Sequence, residues 1–261
     1  MSGYAMEFEN VTKSFRIYHE KKDKFLHSIG SVFDRNSHFE KLTVLKDVSF
    51  SVKQGEMFGI IGRNGAGKTT LLRLIAGILK PDEGVIRTCG SVTPLLRLGT
   101  GFQQDLTARD NIILYGTILG FSRKKITEKV HDILKFAELE KFEDTKIRNF
   151  SSGMHARLAF STAAQVDPDI LLLDEVLSVG DAFFKQKSFD MLMSFKKRGK
   201  TIVHVSHSLE SVKRFCDRAL LLHEGRIRSI GSPDAVVDEY MKLASPAQQI
   251  AWRDQNGDTL S

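Results

Sequence analysis

The chain has 261 residues, of which 41% are hydrophobic and 27% charged, proportions that exclude collagen-like, fibrous and wholly disordered proteins. That length suits one compact unit with an attached subdomain better than two independent domains. The net charge of +6 permits an anionic partner, whether nucleotide, nucleic acid or lipid surface, without selecting one.

No apolar run approaches the roughly 20 residues of a bilayer span. The opening MSGYAMEFEN lacks the charged and apolar regions of a secretory signal, so the chain is expected neither to cross a membrane nor to be secreted. Cys89 and Cys216 lack paired metal-ligand spacing and read as reduced thiols.

In chain order, Glu7 to Phe15 and Leu42 to Val52 alternate apolar and polar residues in places, and Gly55 marks the following turn, which predicts a small antiparallel sheet. Between them, residues 19–42 form a basic insertion. Phe25, Leu26, Ile29, Val32 and Phe33 would share one helix face bordered by Lys21, Lys22, Lys24 and Arg35. That pattern suits an anionic membrane surface, and equally a helix packed on its own domain. Gly30 would weaken the helix by about 1 kcal/mol relative to alanine. From Lys13 to Lys46, eight Lys and Arg stand against four acidic residues, so most of the excess charge lies here.

Met57 to Ile61 is a short apolar run without alternation, followed by a Gly-rich turn and a helical pattern through Leu71, Leu72, Leu74, Ile75 and Ile78. From Leu106 to Phe150 the chain becomes helical and charged, with Ile126, Val130, Ile133, Leu134 and Ala137 at helical spacing. Three further apolar strands are predicted at Ile170 to Leu173, Thr201 to Val205 and Ala219 to Leu222, alternating with helices. Such alternation predicts a mainly parallel, doubly wound α/β sheet. The expected organisation is one domain over 1–244, containing a helical subdomain at about 103–164, and a polar tail at 245–261.

The first chemical motif is Gly62-Arg63-Asn64-Gly65-Ala66-Gly67-Lys68-Thr69, which fits G-x-x-x-x-G-K-S/T between a predicted strand and a predicted helix. Glycines let backbone N–H groups close around phosphate oxygens, and the following helix directs its positive end at the same anion. Lys68 would reach the β and γ phosphates, Thr69 would offer a hydroxyl to Mg²⁺, and Thr70 belongs to the same nucleotide-binding stretch. The second motif is Ile170-Leu171-Leu172-Leu173-Asp174-Glu175, a strand ending in two carboxylates where an open α/β sheet presents its functional edge. Asp174 would hold Mg²⁺ and Glu175 would orient and polarise an attacking water, the division of labour that phosphoryl transfer requires.

Phe150-Ser151-Ser152-Gly153-Met154, followed by Arg157-Leu158, resembles the LSGGQ signature of ABC ATPases and precedes Asp174-Glu175 at that family's usual spacing. Ser178-Val179-Gly180-Asp181 resembles the family's D-loop, and Val205-Ser206-His207 its switch histidine. The resemblance runs from about Ala5 to Tyr240. It implies a P-loop NTPase fold of ABC type: a mainly parallel RecA-like sheet, an antiparallel β subdomain and an inserted helical subdomain. It also implies ATP and Mg²⁺ as cofactors, and a homodimer sandwiching two ATP head to tail. Ser151, Ser152 and Gly153 would then face the γ-phosphate of the partner's site, a task that suits a helix N-terminus. Asp181 would organise the seam, and His207 would contact the γ-phosphate as a catalytic residue. For the family's Q-loop the chain offers adjacent Gln103 and Gln104, of which Gln103 fits better as the catalytic and metal-binding glutamine. For the adenine platform it offers Phe15 or Tyr18, Phe15 fitting better, with simple burial of Phe15 as the alternative.

Within the superfamily, Ser151-Ser152-Gly153-Met154, Arg157-Leu158-Ala159-Phe160, Val166-Asp167-Pro168-Asp169 and Leu98-Gly99-Thr100-Gly101-Phe102 are similar to ATPases that export O-antigen, teichoic acid and related lipid-linked glycans. That similarity implies a motor subunit at the cytoplasmic face of the plasma membrane, working with two copies of a polytopic permease and with glycan as indirect cargo. About 20 residues follow Tyr240, far fewer than a carbohydrate-binding β-sandwich needs, so glycan selection is expected to lie in another protein. A soluble ABC ATPase acting on nucleic acid or ribosomes is the competing class. The chain shows no long heptad insertion, second P-loop or basic-aromatic alternation, and no nucleic-acid partner is expected. A small-solute or drug exporter would share every ATP motif.

Overall fold

A computed structural model describes residues 3–18, 39–95, 99–165, 167–174, 181–206 and 208–243. Its main sheet has six strands: β3 (Met57–Ile61), β5 (Val92–Leu95), β6 (Ile170–Asp174), β7 (Thr201–Val205), β8 (Arg218–His223) and β9 (Arg226–Gly231). Their order is β5-β6-β7-β3-β8-β9, parallel throughout except for the β8–β9 pair. β3 and β7 are buried along their whole length, which is why the sequence shows apolar runs there without alternation: both faces of the sheet are covered.

Alternate residues feed two cores. Met57 and Ile61, Leu171 and Leu173, Ile202, and Ala219 and Leu221 face one cluster, closed by α5 (Ser152–Ala163), α6 (Ala182–Lys197), α7 (Leu209–Phe215) and α8 (Pro233–Leu243). Phe58 and Ile60, Leu172, Val203 and Val205, and Leu220 and Leu222 face the other. There they meet α1 (Lys68–Ile75) and a second, antiparallel sheet of order β2-β1-β4, made of β1 (Tyr4–Tyr18), β2 (Phe39–Lys53) and β4 (Glu83–Thr88). Phe50 stacks between Phe8 and Phe58, with centroids 4.6 and 5.7 Å away, and ties the two sheets together.

A third apolar cluster belongs to the helical stretch, formed by α2 (Ala108–Ile118), α3 (Arg123–Glu128), α4 (Val130–Ala137) and the start of α5. Ile126, Val130, Ile133, Leu134 and Ala137, expected at helical spacing, are all buried in it, on two helices, α3 and α4, that meet at Lys129.

Several boundaries differ from the sequence reading. β1 and β2 pair from Tyr4–Lys53 out to Tyr18–Phe39, so both strands run beyond their predicted limits, and residues 39–42 of the expected insertion are strand. The amphipathic pattern from Lys21 to Arg35 lies outside the described residues, as does the tail at 245–261. Ile78, expected on the face of α1, lies past the C-cap Ala76 and is exposed, because Gly77 at φ 68° ends the helix. β4 gave no alternating signal because nearly all its residues are exposed at a sheet edge. β9 enters through a tight turn at Glu224 and Gly225, both at positive φ (48° and 77°), a primed hairpin turn carrying Glu-Gly in place of the more legible Asn-Gly. Both cysteines are free thiols, and burial pushes the Cys216 thiol up to about 12, out of reach of ordinary thiol chemistry.

His204 is the one histidine among the described residues that the sheet buries; it lies on β7 with 1% of its surface exposed. Burial holds its pKa at about 4, below the ordinary 6.5. Between those values the unfolded chain binds the extra proton and the folded chain does not. Stability from this residue is therefore fully present above pH 6.5 and is lost as pH falls toward 4. The whole difference is roughly 3 kcal/mol. In urea unfolding across that window, His204→Phe should show a shallower loss of stability than the parent; equal slopes would mean that His204 is not buried as described.

Candidate functional site

Because β3, β6 and β7 are parallel neighbours, their C-terminal ends share one edge of the sheet: Ile60 and Asp174 both lie in register with Val205. The loop after β3 carries Gly62 to Gly67 and runs into α1. A Cβ on Gly62 would lie 2.3 Å from the Leu222 carbonyl oxygen, so only glycine fits where the loop crosses β8. Gly67 is the N-cap of α1 at φ 106°, a conformation that an L side chain strains to adopt. Ala66 is buried and its carbonyl accepts from Gly225 N at 3.2 Å, so the β8–β9 turn braces the loop from behind. The exposed side chains of Arg63 and Asn64 lie at the loop's rim.

Thr107, Ser151 and Asp181 cap α2, α5 and α6 with a side-chain oxygen, whereas α1 has no side-chain cap and no acidic residue in its first turn. Its leading N–H groups and its positive end are thus offered to an external anion. Lys68 is 8% exposed, and its Nζ donates to Gly62 O at 2.6 Å and Arg63 O at 3.1 Å, which draws the ammonium across the mouth of the loop.

These groups open on a cleft of about 360 Å³ lined by Gly65, Gly67, Lys68, Thr69, Thr70 and, from β6, Asp174. The fold thus gathers two motifs that are about a hundred residues apart in the chain. The donor set fits a nucleotide polyphosphate with a hard divalent cation: an ammonium, open N–H groups and glycine-lined backbone for the phosphates, hydroxyl and carboxylate oxygens for the metal. Val44 and Val205 also line the cleft, and the sequence reading missed both. No local signal marks Val44, which is carried there by an irregularity in the β1–β2 register between the Lys13–Leu45 and Ser14–Thr43 pairs.

Other predicted residues lie elsewhere. Ser151 caps α5, its Oγ accepting from Met154 N at 3.2 Å, and Ser151 and Ser152 are exposed. A Cβ on Gly153 would meet only Ser151 Oγ, at an ordinary 3.8 Å, so nothing within the chain requires glycine there. Asp181 caps α6 by accepting from Phe184 N at 2.9 Å and pairs with Arg157 of α5; that N–H and the guanidinium hold its carboxyl below the usual range. Arg157 also meets Glu138 at 3.1 Å, so the signature-like helix is tied both to the start of α6 and to the end of α4.

Among the described residues, neither Gln103 nor Phe15 lines the 360 Å³ cleft. Gln103 is exposed in the loop before α2, held through its backbone by Asn111, whose Oδ1 accepts from Gln103 N at 2.7 Å. Gln104 faces a separate cleft with Phe102, Ser152 and His155. Phe15 is half-buried on β1 opposite Leu42, with Lys13 Nζ 5.8 Å from its ring centre. Glu175, His207, Tyr18's side chain and Ser178 to Gly180 lie outside what is described.

The ABC transporter family profile matches residues 45–178. The chain is 43% identical over 246 residues to the O-antigen export system ATP-binding protein RfbB of Klebsiella pneumoniae, covering 90% of this chain and 97% of that one. It is 39% identical over 248 residues to the teichoic acids export ATP-binding protein TagH of Bacillus anthracis, covering 95% of this chain but 44% of the relative. Among solved structures it is similar to the post-hydrolysis dimer of the ATP-binding cassette MJ0796 bound to ADP and Pi. That likeness has a TM-score of 0.68 at 24% identity and covers 87% of this chain and 98% of the other, a likeness of fold.

Proposed function

This chain belongs to the ABC transporter family, and from that premise we propose that it is the ATP-hydrolysing motor subunit of an exporter that moves a polysaccharide or lipid-linked glycan across the cytoplasmic membrane. The ABC ATPase class follows from the family. The observation that carries the choice of cargo is the 43% identity to an O-antigen export ATP-binding protein along 97% of its length. No helix among the described residues is long and apolar enough to cross a membrane, which suits a subunit held at the cytoplasmic face by two copies of a permease.

In this reading Lys68 exchanges its Gly62 and Arg63 carbonyl partners for β and γ phosphate oxygens, and the open first turn of α1 takes the remaining charge. Thr69, Asp174 and Gln103 would hold Mg²⁺, which would supply positive charge against that developing on the phosphate oxygens. Glu175 orients the attacking water and accepts its proton, and His207 contacts the γ-phosphate. Phe15 serves as the adenine platform. Both Phe15 and Gln103 must approach a cleft that they do not line here. A second copy presents Ser151, Ser152 and Gly153 to that phosphate. The freedom of Gly153 from any contact within the chain that would demand glycine supports close approach from outside. ATP bridges the two copies, and hydrolysis removes the bridge, so the halves part and move the permease.

Glu175→Gln chain, purified with Mg-ATP from mild detergent extracts of the producing cell, should bring down a stoichiometric polytopic membrane protein together with a lipid-linked glycan, identified by mass spectrometry. Recovery of soluble protein or nucleic acid alone would overturn the exporter assignment.

A further inference from the structure

β7 leads into α7 through Ser206, His207 and Ser208, and the described residues on either side of position 207 are held by an unusual run of side-chain hydrogen bonds. Ser206 Oγ accepts from Ser208 N at 3.0 Å, a bond that spans residue 207. Ser208 caps α7 by accepting from Ser211 N at 3.2 Å. Ser211 Oγ donates to Ser208 O at 2.8 Å and lies 3.1 Å from Ser206 Oγ and 3.2 Å from His204 Nε2.

With each of these three contacts taken as a hydrogen bond, one assignment of protons satisfies them all. A serine hydroxyl has a single proton. Ser211 spends its proton on the Ser208 carbonyl, so it must accept from both other neighbours: from the Ser206 hydroxyl and from an N–H on His204 Nε2. That assignment makes His204 the Nε2–H tautomer. Its Nδ1 is left as a bare lone pair, and among the described residues that atom is buried with no hydrogen-bond partner. A neutral imidazole held at 1% exposure carries a desolvation cost that an apolar residue at the same position would avoid. That cost is consistent with a use for the N–H on Nε2.

Packing explains why that N–H reaches α7. His204 lies on β7 beside Gly59 of β3, in register with it. A Cβ on Gly59 would stand 2.9 Å from Val212 Cγ1 and 3.0 Å from Cys216 Sγ, so the glycine lets α7 settle directly on the sheet. On its other side His204 is in register with Leu173, next to Asp174.

We propose that His204 is a positioning residue: through Ser211 and Ser206 it fixes the β7–α7 junction that carries His207, and so sets where that histidine meets the γ-phosphate. The proposal rests on the reading of His207 given above. A buried histidine that merely fills the core would affect stability; one that positions His207 must act through it.

The test is a double-mutant cycle read by steady-state and single-turnover ATP hydrolysis. His204→Phe keeps an aromatic ring and removes the N–H. It should lower kcat by roughly ten- to a hundredfold with KM for ATP unchanged. His204→Gln, which retains an N–H donor, should largely restore turnover. In a His207→Ala background, His204→Phe should cost nothing further. Equal losses in both backgrounds, or parental turnover in His204→Phe, would overturn the proposal and leave the role of His207 intact. Parental turnover in His207→Ala alone would instead remove the reading on which the proposal stands, and the proposal with it. Should His204→Phe fail to fold, as judged by circular dichroism, Ser211→Ala tests the same relay. It should show the same KM-neutral loss, again absent in the His207→Ala background, and unchanged turnover would refute the relay. Nitrogen-15 spectra of the ring should find Nδ1 unprotonated; a proton on Nδ1 would contradict the network.

Discussion

Glu175→Gln should reduce ATP turnover by about 10²- to 10⁴-fold while leaving ATP affinity nearly unchanged. The substitution keeps the shape of the side chain and removes the basic lone pairs and the negative charge that orient and deprotonate water. Nothing in the phosphate cradle is touched: Lys68, Thr69, Gly67 and Asp174 line the cleft from α1 and from the strand end itself. Binding therefore survives the loss of chemistry. If ATP bridges two copies, a chain that binds but cannot hydrolyse should accumulate as a dimer at twice the 29.3 kDa chain mass when Mg-ATP is present, and revert when it is withdrawn. Light scattering with and without Mg-ATP reads the dimer, and a quench-flow assay reads the hydrolysis. Turnover at the parental rate would remove Glu175 from its assigned role.

Lys68→Ala should fail earlier, at binding. The ammonium is nearly buried at the mouth of the loop, satisfied by the Gly62 and Arg63 carbonyls at 2.6 and 3.1 Å. When phosphate oxygens take over those bonds, each is a charge-assisted contact worth about 1.5–3 kcal/mol, so the Kd for ATP should rise roughly ten- to a hundredfold or more. The loop itself should persist, because its path is held by the close crossing of Gly62 over the Leu222 carbonyl and by the Gly225–Ala66 hydrogen bond, neither of which involves Lys68. Calorimetric titration with ATP measures the effect, and an unaltered thermal melt separates it from unfolding. An unchanged Kd would mean that Lys68 does not meet the phosphates. The two variants thus divide the cleft's work: one binds without turning over, the other cannot bind.

What made the phosphate loop legible is that its determinants are local. Eight consecutive residues carry the glycines, the lysine and the threonine, and the strand before and helix after are each a short apolar pattern. Asp174 was legible for the same reason, standing at the end of a four-residue apolar run. The buried positions of α3 and α4 followed from helical spacing, although the junction of the two helices at Lys129 did not.

Gln103 and Phe15 differ in that they are matched only by their order along a family pattern, and order does not say how near a loop or strand comes to the strand ends; here neither lines the phosphate cleft. β4 escaped notice because an exposed edge strand has no buried face to imprint a period of two. β9 escaped because its turn lacks the usual asparagine.

Where the glycines, lysine, hydroxyls and carboxylates of the kinds that suit phosphate and metal stand is readable along the chain, because it is a matter of residue type at fixed short spacing. Which of them meet is a matter of long-range packing. The parallel register brings Asp174 and Val205 to the mouth of the β3 loop, a bulge in the β1–β2 pair delivers Val44, and the approach of α7 over Gly59 brings Ser211 within reach of His204 Nε2. Each of these depends on pairing between segments far apart in the chain. Their free energy lies in contacts that do not exist until the sheet and both its cores have closed.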